Sequence, residues 1–530
     1  MAGDFLRSHG IDIDAEMHRI QHGGGGGDDM PITTTTTTTT STTGNNRQIE
    51  RIHNVSLPNT PAGSRWDLTF TPAGKVSRVT TSSSPQASSS EPSHPTQERN
   101  SECINGHGAL LAPSLCHPHV HLDKAYLLSH PRYSDLQIER GDFAEAMELT
   151  GKAKASFTPE DLLERGQRLI DESVAAGVTH MRVFVELDAG VGMKCLEAGV
   201  QLKEIAESTG RCHVQICAFA QLPLFSPSQD DPQGEVIRGL MAQAAAMQAV
   251  DCVGSTPYVE TSRALMEQNV EWMVALSKRE NLHLDFHLDY NLDPETEPMV
   301  WHVVEALKAQ DWPTTAATLE RRQRQKTVAL GHCTRLTLWP AAEWRRLAAE
   351  IADAELPIHF VGLPTSDLFM MRTLDRTRGT LDIPNLIKDH NLNACIGVNN
   401  IGNAFTPHGS ADPLTLACNG VGIYQAGTAR DAEVLYEAVS TRARAAIGLG
   451  RRGGGDGQGE GGGGDAQDGD AKDEGSAYCG SEVREGDAGD LVLFGAEEEE
   501  WRTRRSVAEA VYLYDHCRAR RAFLDGKVVT

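Results

Sequence analysis

The stretch from Thr158 to Leu187, TPEDLLERGQRLIDESVAAGVTHMRVFVEL, combines a helix pattern with a strand pattern. Thr158 is a good N-cap, Pro159 suits the first helical position, and two acids follow in the first turn. Gly177 predicts the end of the helix, and the β-branched and apolar run 178–187 predicts a buried strand. A helix joined to a buried strand by one glycine is typical of a parallel α/β fold.

The same alternation of short apolar runs with helical or loop segments continues on both sides of this unit. Eight such runs over about 290 residues predict an α/β fold of the (β/α)8 barrel type. The candidate barrel strands are 109–120, 178–187, 213–221, 250–255, 282–288, 327–332, 357–363 and 393–399.

The two ends of the chain carry strand–turn–strand patterns, Trp66–Val76 near one end and Asp490–Phe494 with Ala522–Val529 near the other. We expect one small β-sandwich formed from both ends; two separate hairpins are the alternative. Low-complexity tracts rich in Gly, Thr, Ser or acids predict disorder between these parts. The predicted organisation is disorder at 1–47, sandwich at 48–110 with a flexible insert at 81–101, barrel at 111–450, a disordered acidic insert at 451–486, and sandwich at 487–530.

Composition excludes several classes of protein. The chain has 530 residues and 49 basic against 73 acidic side chains, a net charge of −24, which disfavours binding to nucleic acid. No run approaches the ~18–20 apolar residues that cross a bilayer. The 11 cysteines include no Cys-x-x-Cys pair, and several lie in apolar runs, which predicts reduced thiols in a cytoplasmic protein.

Histidines lie where the predicted strands end. In Cys116-His-Pro-His-Val-His-Leu-Asp-Lys124, His119 and His121 are two apart and therefore face the same side of a strand. His287 and His332 close the predicted strands 282–288 and 327–332. Because catalytic residues of barrels gather at the carboxyl ends of the strands, these four histidines predict a mononuclear metal centre. Each histidine alone has the simpler interpretation of a core or loop residue.

The ordered motifs Pro118-His-Val-His-Leu-Asp, Asp285-Phe-His-Leu-Asp and Gly331-His332 resemble those of the amidohydrolase superfamily, in its cytosine deaminase-like branch. The resemblance extends to Ile216–Gln221 and to the split sandwich. It implies a deformed barrel with one divalent metal ion, zinc or iron. Such enzymes cleave a ring C–N bond with water activated by the metal.

The resemblance also implies roles for individual residues. His119, His121 and His287 match metal ligands, and His332 matches a catalytic residue beside the metal. Gln221 matches a glutamine that binds the amide edge of a heterocycle.

Two positions depart from the family pattern. The family ends its last motif with an aspartate that is both ligand and proton acceptor, whereas here Asn399 occupies that place, followed by Asn400. Asparagine offers a metal a carbonyl oxygen but takes up no proton. The glutamate that shuttles protons in cytosine deaminase is matched by Tyr290, whose ordinary pKa of ~10 makes it a poor proton carrier at neutral pH.

Other groups are candidates for the missing functions. Asp289, His332 and Asp412 are candidate bases, while Asn400 and Lys124 are candidate substrate contacts, Lys124 as a cation for an anionic substrate or else a surface lysine. We count His332, Asp289, Tyr290 and Asn399 as candidate catalytic residues, Gln221, Lys124 and Asn400 as candidate substrate-binding residues, and His119, His121, His287 and Asn399 as candidate metal ligands.

The sequence therefore predicts a cytoplasmic, metal-dependent hydrolase of non-peptide C–N bonds in a cyclic amide, amidine or N-heterocycle other than cytosine. Its partner would be a small heterocyclic molecule, without nucleic acid or membrane. Members of this family often form homo-oligomers, although no stretch here predicts an interface. A catalytically silent barrel that binds a small molecule is the alternative, and a scaffold acting through the acidic tracts has only composition to support it.

Overall fold

The computed structural model describes residues 48–82, 101–227, 234–314, 325–450, 480–495, 500–514 and 520–530. The predicted disorder at 1–47 lies outside the described residues. So do most of the tracts 81–101 and 451–486.

The strands of the described chain form two sheets of eight strands each. In chain order they are β1 (Gln48–Val55), β2 (Trp66–Phe70), β3 (Val76–Thr81), β4 (Ser101–Asn105), β5 (Leu111–Pro113), β6 (Leu115–His121), β7 (Val178–Glu186), β8 (His213–Ala220), β9 (Val250–Ser255), β10 (His283–Leu288), β11 (Val328–His332), β12 (Ile358–Gly362), β13 (Ala394–Ile396), β14 (Leu491–Phe494), β15 (Arg520–Leu524) and β16 (Lys527–Val528).

Strands β6 to β13 pair in parallel, each with the next along the chain, and close into a barrel. The closure joins β6 to the segment after β13: the amide of His121 donates to the carbonyl of Asn399 at 2.8 Å, and the amide of Asn399 donates to the carbonyl of His119 at 3.0 Å. The predicted (β/α)8 fold is therefore confirmed. The barrel brings the last strand directly against the histidines of the first.

Helices cover the barrel and fill the connections between its strands. Thr158 caps the helix Pro159–Ala175 by accepting from the amide of Asp161 at 3.3 Å, and Gly177, with φ 100°, makes the turn into β7. The unit predicted from Thr158–Leu187 is thus confirmed. The α-helices of the described residues are Phe143–Ala155, Pro159–Ala175, Lys194–Ser208, Glu235–Ala245, Arg263–Glu280, Val300–Ala309, Ala341–Asp353, Pro364–Met370, Ile383–Lys388, Leu414–Ile423, Ala429–Ala438, Thr441–Ala446 and Val507–Tyr512.

The first barrel strand differs from the predicted 109–120. Residues Leu111–Pro113 pair antiparallel with β14 in the other sheet, and the barrel strand begins at Leu115. Pro113 has no amide hydrogen, which breaks a continuous ladder. The chain changes sheets at Ser114, whose amide donates to the carbonyl of Asp490 at 3.0 Å.

The second sheet is made from both ends of the chain, in the order β3-β2-β1-β16-β15-β14-β5, with β4 paired to β1. The pairing of Gln48 with Lys527 joins the ends, so the two terminal patterns form one unit and not two hairpins. This sheet has a hydrophobic core of its own, with contributions from Ile49, Ile52, Leu68, Leu491 and Phe523. Among the described helices, none has the length and apolar character to cross a membrane.

Candidate active site

Three histidines converge inside the carboxyl end of the barrel. His119 and His121 come from β6 and His287 from β10, and none is more than 2% exposed. The Nε2 atoms of His119 and His287 lie 2.7 Å apart. The three side chains each offer a ligand nitrogen, and these nitrogens all lie within 4.8 Å of one another.

These histidines are neutral in the folded protein. Burial lowers the pKa of His119, His121 and His287 well below the ordinary value, and nearby positive groups such as Lys124 lower it further. A neutral imidazole is the form that binds a metal ion. The Nδ1 of His121 is buried with no hydrogen-bond partner among the described residues. Converging neutral nitrogens, one of them unpaired, form a donor set that fits a divalent ion.

Asn399 completes this group from the segment after β13. Its φ of 62° is in the left-handed region, which asparagine tolerates better than most residues. Its side chain is buried and lies beside the ring of His119, close enough to raise the pKa of that histidine slightly against the effect of burial. The amide oxygen of Asn399 is therefore a candidate fourth ligand, in addition to the three histidine nitrogens.

His332 lies beside the cluster at the end of β11, with its ring centroid 5.1 Å from that of His287. Its Nδ1 lies 2.7 Å from Oδ1 of Asp367, on the helix Pro364–Met370 that follows β12. The other oxygen of Asp367 accepts from Thr380 Oγ1 at 2.8 Å. This arrangement makes Nδ1 the protonated nitrogen of His332, so that Nε2 is left to exchange a proton.

Tyr290 forms a wall next to His332. The two rings are stacked with centroids 3.8 Å apart, and the tyrosine hydroxyl donates to the carbonyl of Ser366 at 3.4 Å. Burial and the charge of Asp367 raise the pKa of Tyr290 well above its ordinary value. Tyr290 therefore packs against His332, and the catalytic role predicted from the sequence stays a prediction.

Gln221 and Lys124 lie side by side on the opposite part of the rim. The Nζ of Lys124 lies 3.4 Å from Oε1 of Gln221 and 5.0 Å from the centre of the Phe405 ring. Gln221 also shares a hydrogen bond with Tyr258. Lys124 is 1% exposed and is ion-paired with Glu186, which removes the alternative of a surface lysine.

Glu186 connects this pair to a second buried lysine. Lys154, from the helix Phe143–Ala155, pairs with Glu186 and, at 2.8 Å, with Asp188. Burial would raise the pKa of Glu186, but Lys124 and Lys154 hold it below its ordinary value. The charge of Lys124 is thus largely balanced inside the protein.

Two predicted site residues take part in loop structure. The carboxylate of Asp289 accepts from the amides of Met299 at 2.6 Å and Val300 at 3.2 Å. Burial raises the pKa of Asp289 to about 6, against the effect of these amides. The Oδ1 of Asn400 accepts from Nδ2 of Asn403 at 2.8 Å. Asp289 therefore fixes the loop after β10 and is poorly placed to act as a base.

The carboxylate of Asp412, another candidate base, already has partners in the folded chain. It pairs with Arg520 at 2.8 Å and accepts from the amide of Leu414 at 3.0 Å. Of the three candidate bases, His332 is the one that packs against the histidine cluster.

Sequence reasoning missed Glu186, Lys154 and Tyr258, and it placed Asp367 on the rim after the seventh strand without assigning it a role. Glu186 ends a strand that was predicted to 187, so its place on the rim was visible in the sequence. Lys154 is 32 residues away on a helix, and no spacing in the sequence indicates that it folds back onto Glu186.

Comparison with known proteins gives a short sequence match. No family model matches the sequence. An imidazolonepropionase from Alkaliphilus metalliredigens is 30% identical over 115 residues, which are 20% of this chain. The match spans only 25% of the length of that curated relative.

Solved structures match over nearly the whole chain. A 5-methylcytosine deaminase from Klebsiella pneumoniae liganded with 5-fluorocytosine has a TM-score of 0.69 and 21% identity, covering 91% of this chain and 97% of its own. An N-isopropylammelide isopropylaminohydrolase from Burkholderia multivorans has a TM-score of 0.61 and 20% identity, covering 90% and 97%. An adenosine deaminase from Xanthomonas campestris with bound zinc has a TM-score of 0.55 and 15% identity, covering 90% and 92%. The barrel with its flanking sheet is thus the fold of these hydrolytic enzymes, as the sequence motifs predicted.

Proposed function

We propose that this chain, which has the amidohydrolase fold, is a metal-dependent hydrolase of non-peptide C–N bonds in a small N-heterocycle, cyclic amide or amidine. The observation that carries the proposal is the approach of two buried, neutral imidazoles, His119 and His287, to 2.7 Å between their Nε2 atoms. The two nitrogens share a hydrogen bond, and a third buried imidazole, His121, offers its nitrogen within 4.8 Å of them. Three neutral nitrogens that converge inside a closed barrel fit a shared cation.

His119, His121, His287 and the amide oxygen of Asn399 would hold one divalent ion, zinc or iron. When bound, such an ion lowers the pKa of a water molecule and so supplies a nucleophile at neutral pH. Other residues of the chain must supply the proton transfers, because the side-chain amide of Asn399 neither takes up nor releases a proton. This requirement distinguishes the site from one in which an aspartate ends the last strand.

His332 is the residue we assign to proton transfer. Asp367 accepts from Nδ1 and stabilises the doubly protonated ring, so Nε2 is able to take a proton from water and return it to a leaving nitrogen. Tyr290, stacked at 3.8 Å, keeps the ring in this orientation and covers it from bulk water. Asp367 is a positioning residue in this scheme.

The substrate edge opposite the metal would contact Gln221, with Lys124 and Tyr258 holding that amide in place. Asn400 lies on the same rim but bonds to Asn403, so its contact with substrate stays a prediction. Since Tyr290 stands where cytosine deaminases carry a proton-shuttling glutamate, we expect cytosine itself to be a poor substrate. Because His332 is the one proton-transfer residue we assign, we expect better turnover of heterocycles whose leaving nitrogen takes its proton from a single donor.

The test of the proposal is turnover of a panel of cyclic amides, amidines and amino-substituted N-heterocycles by the zinc- or iron-loaded protein. The variants His119→Ala and His287→Ala should lose both activity and bound metal, because each removes a ligand. His390→Ala is a matched control, since it removes a histidine that stacks on Trp344 outside the barrel. Unchanged metal content in both ligand variants would refute the assignment.

A catalytically silent, small-molecule-binding barrel is the second candidate. It is favoured by the joint replacement of two proton-handling carboxylates, at Asn399 and Tyr290. The double variant Asn399→Asp and Tyr290→Glu should then gain a hydrolytic activity that the wild type lacks. Turnover by the wild type that the double substitution abolishes would exclude this candidate.

We also propose that the protein works in the cytoplasm on a small molecule. The described cysteines are all free, and most are buried, as in proteins of a reducing compartment. Assembly into a homo-oligomer is not needed for the proposed chemistry, because every residue assigned to it comes from one chain.

A further inference from the structure

A buried ion pair lies directly behind the histidine cluster. Arg182, on β7, donates from Nη1 to Oδ2 of Asp285, on β10, at 3.1 Å, and both side chains are fully buried. Arg182 is held in turn by Gln215, whose Oε1 accepts from two of its nitrogens at 3.2 Å. Nothing in the proposed reaction yet uses this pair.

The second oxygen of Asp285 is not bound by Arg182 and lies close to His119. Oδ1 of Asp285 and Nδ1 of His119 are both buried, and neither has a hydrogen-bond partner in the described part of the chain. They lie 3.8 Å apart. Burying a polar atom without a partner is unfavourable, so two such atoms this close together point to a bond that forms in another state of the protein.

Metal binding would produce that state. Two imidazole nitrogens that bind the same ion cannot also share the hydrogen bond that now joins Nε2 of His119 to Nε2 of His287 at 2.7 Å. The two rings must therefore change position relative to each other when both bind the ion. A small shift of the His119 ring toward Asp285 would bring the two atoms, now 3.8 Å apart, within hydrogen-bond distance.

We propose that Asp285, held by Arg182, is the positioning residue that accepts a hydrogen bond from Nδ1 of His119 and so presents Nε2 of that ring to the metal. The inference rests on the proposed metal-binding function. A carboxylate behind a ligating histidine fixes its tautomer and raises its basicity, and loss of such a group typically weakens metal binding 10–100-fold. Arg182 binds the other oxygen of this side chain and so fixes its orientation.

The experiment compares zinc affinity, by competition with a chelator of known affinity, in three proteins: wild type, Asp285→Asn and Asp490→Asn. Asp490 is a matched control because it also forms a buried pair with an arginine, Arg444 at 3.2 Å, and contacts none of the predicted ligands. We expect zinc binding to weaken 10–100-fold in Asp285→Asn and to stay within about twofold of wild type in Asp490→Asn.

A second measurement uses the wild type alone and so does not depend on the variant folding. Nitrogen-15 NMR of histidine-labelled, zinc-loaded protein should show His119 protonated at Nδ1, with the metal at Nε2.

Three results would overturn the inference. They are a zinc affinity of Asp285→Asn equal to that of wild type, an equal loss in Asp490→Asn, and protonation of His119 at Nε2 in the zinc-loaded protein. A wild type that binds no zinc or iron would overturn the proposed function as well, and this distinguishes the two failures.

Discussion

Gly331→Ala is a small change that tests the geometry of the histidine cluster. Gly331 lies on β11, and a Cβ placed there would be 3.1 Å from Cε1 and 3.3 Å from Nδ1 of His119, and 3.6 Å from Cδ2 of His287. Ordinary van der Waals contacts are longer than the first two distances. The added methyl group must therefore displace the ring of His119 by a few tenths of an ångström.

Overpacking of this kind costs about 1–3 kcal/mol. If the strain falls on the ligand set, it should lower zinc affinity by about 5- to 150-fold, since 1.36 kcal/mol corresponds to a factor of ten. The assay is competition with a chelator, alongside the free energy of unfolding of the metal-free protein. Gly422→Ala is the control, because no atom beyond its own helix backbone and chain neighbours lies within 4 Å of its Cβ position among the described residues. Wild-type zinc affinity and stability in Gly331→Ala would refute the reasoning.

Three further predictions follow from individual contacts. Asp367→Asn should lower kcat on the best heterocycle by about 10- to 100-fold, because it removes a charged hydrogen bond worth ~1.5–3 kcal/mol from His332, and an unchanged pH profile of kcat would argue against this. Asn399→Asp should tighten zinc binding in the chelator assay by adding a negative charge beside the ion; weaker binding would exclude Asn399 as a ligand. Burial and two nearby arginines lower the pKa of His359 to about 3, so below pH 6.5 the unfolded chain takes up a proton that the folded one does not. His359→Gln should therefore remove about 2 kcal/mol of the loss in unfolding free energy between pH 7 and pH 5, and equal losses in both proteins would contradict that pKa.

Much of the barrel was predictable because its helices and strands are determined by residues close together in the sequence. The helix before β7 begins at a threonine cap and ends before a glycine, and both features act within a few residues. The first barrel strand was predicted too long because residues 109–113 are as apolar as the strand itself. Whether they join the barrel or the flanking sheet depends on β14, which lies almost 380 residues further along the chain.

The histidines were predictable for a related reason. Their place at strand ends is a property of the sequence, and the barrel topology brings strand ends together. Their partners were not predictable in this way. Asp367 meets His332 only because a short helix after β12 turns one face inward, and Arg182 on β7 meets Asp285 on β10 although two strands lie between them in the sheet.

The most direct test of the account is the metal content per chain of the purified protein, measured by elemental mass spectrometry before and after reconstitution with zinc or iron. The account predicts close to one transition-metal ion per chain, and its loss in His119→Ala. A wild-type protein that stays free of zinc and iron after reconstitution would contradict the proposed hydrolase and leave a barrel that binds its ligand without a metal.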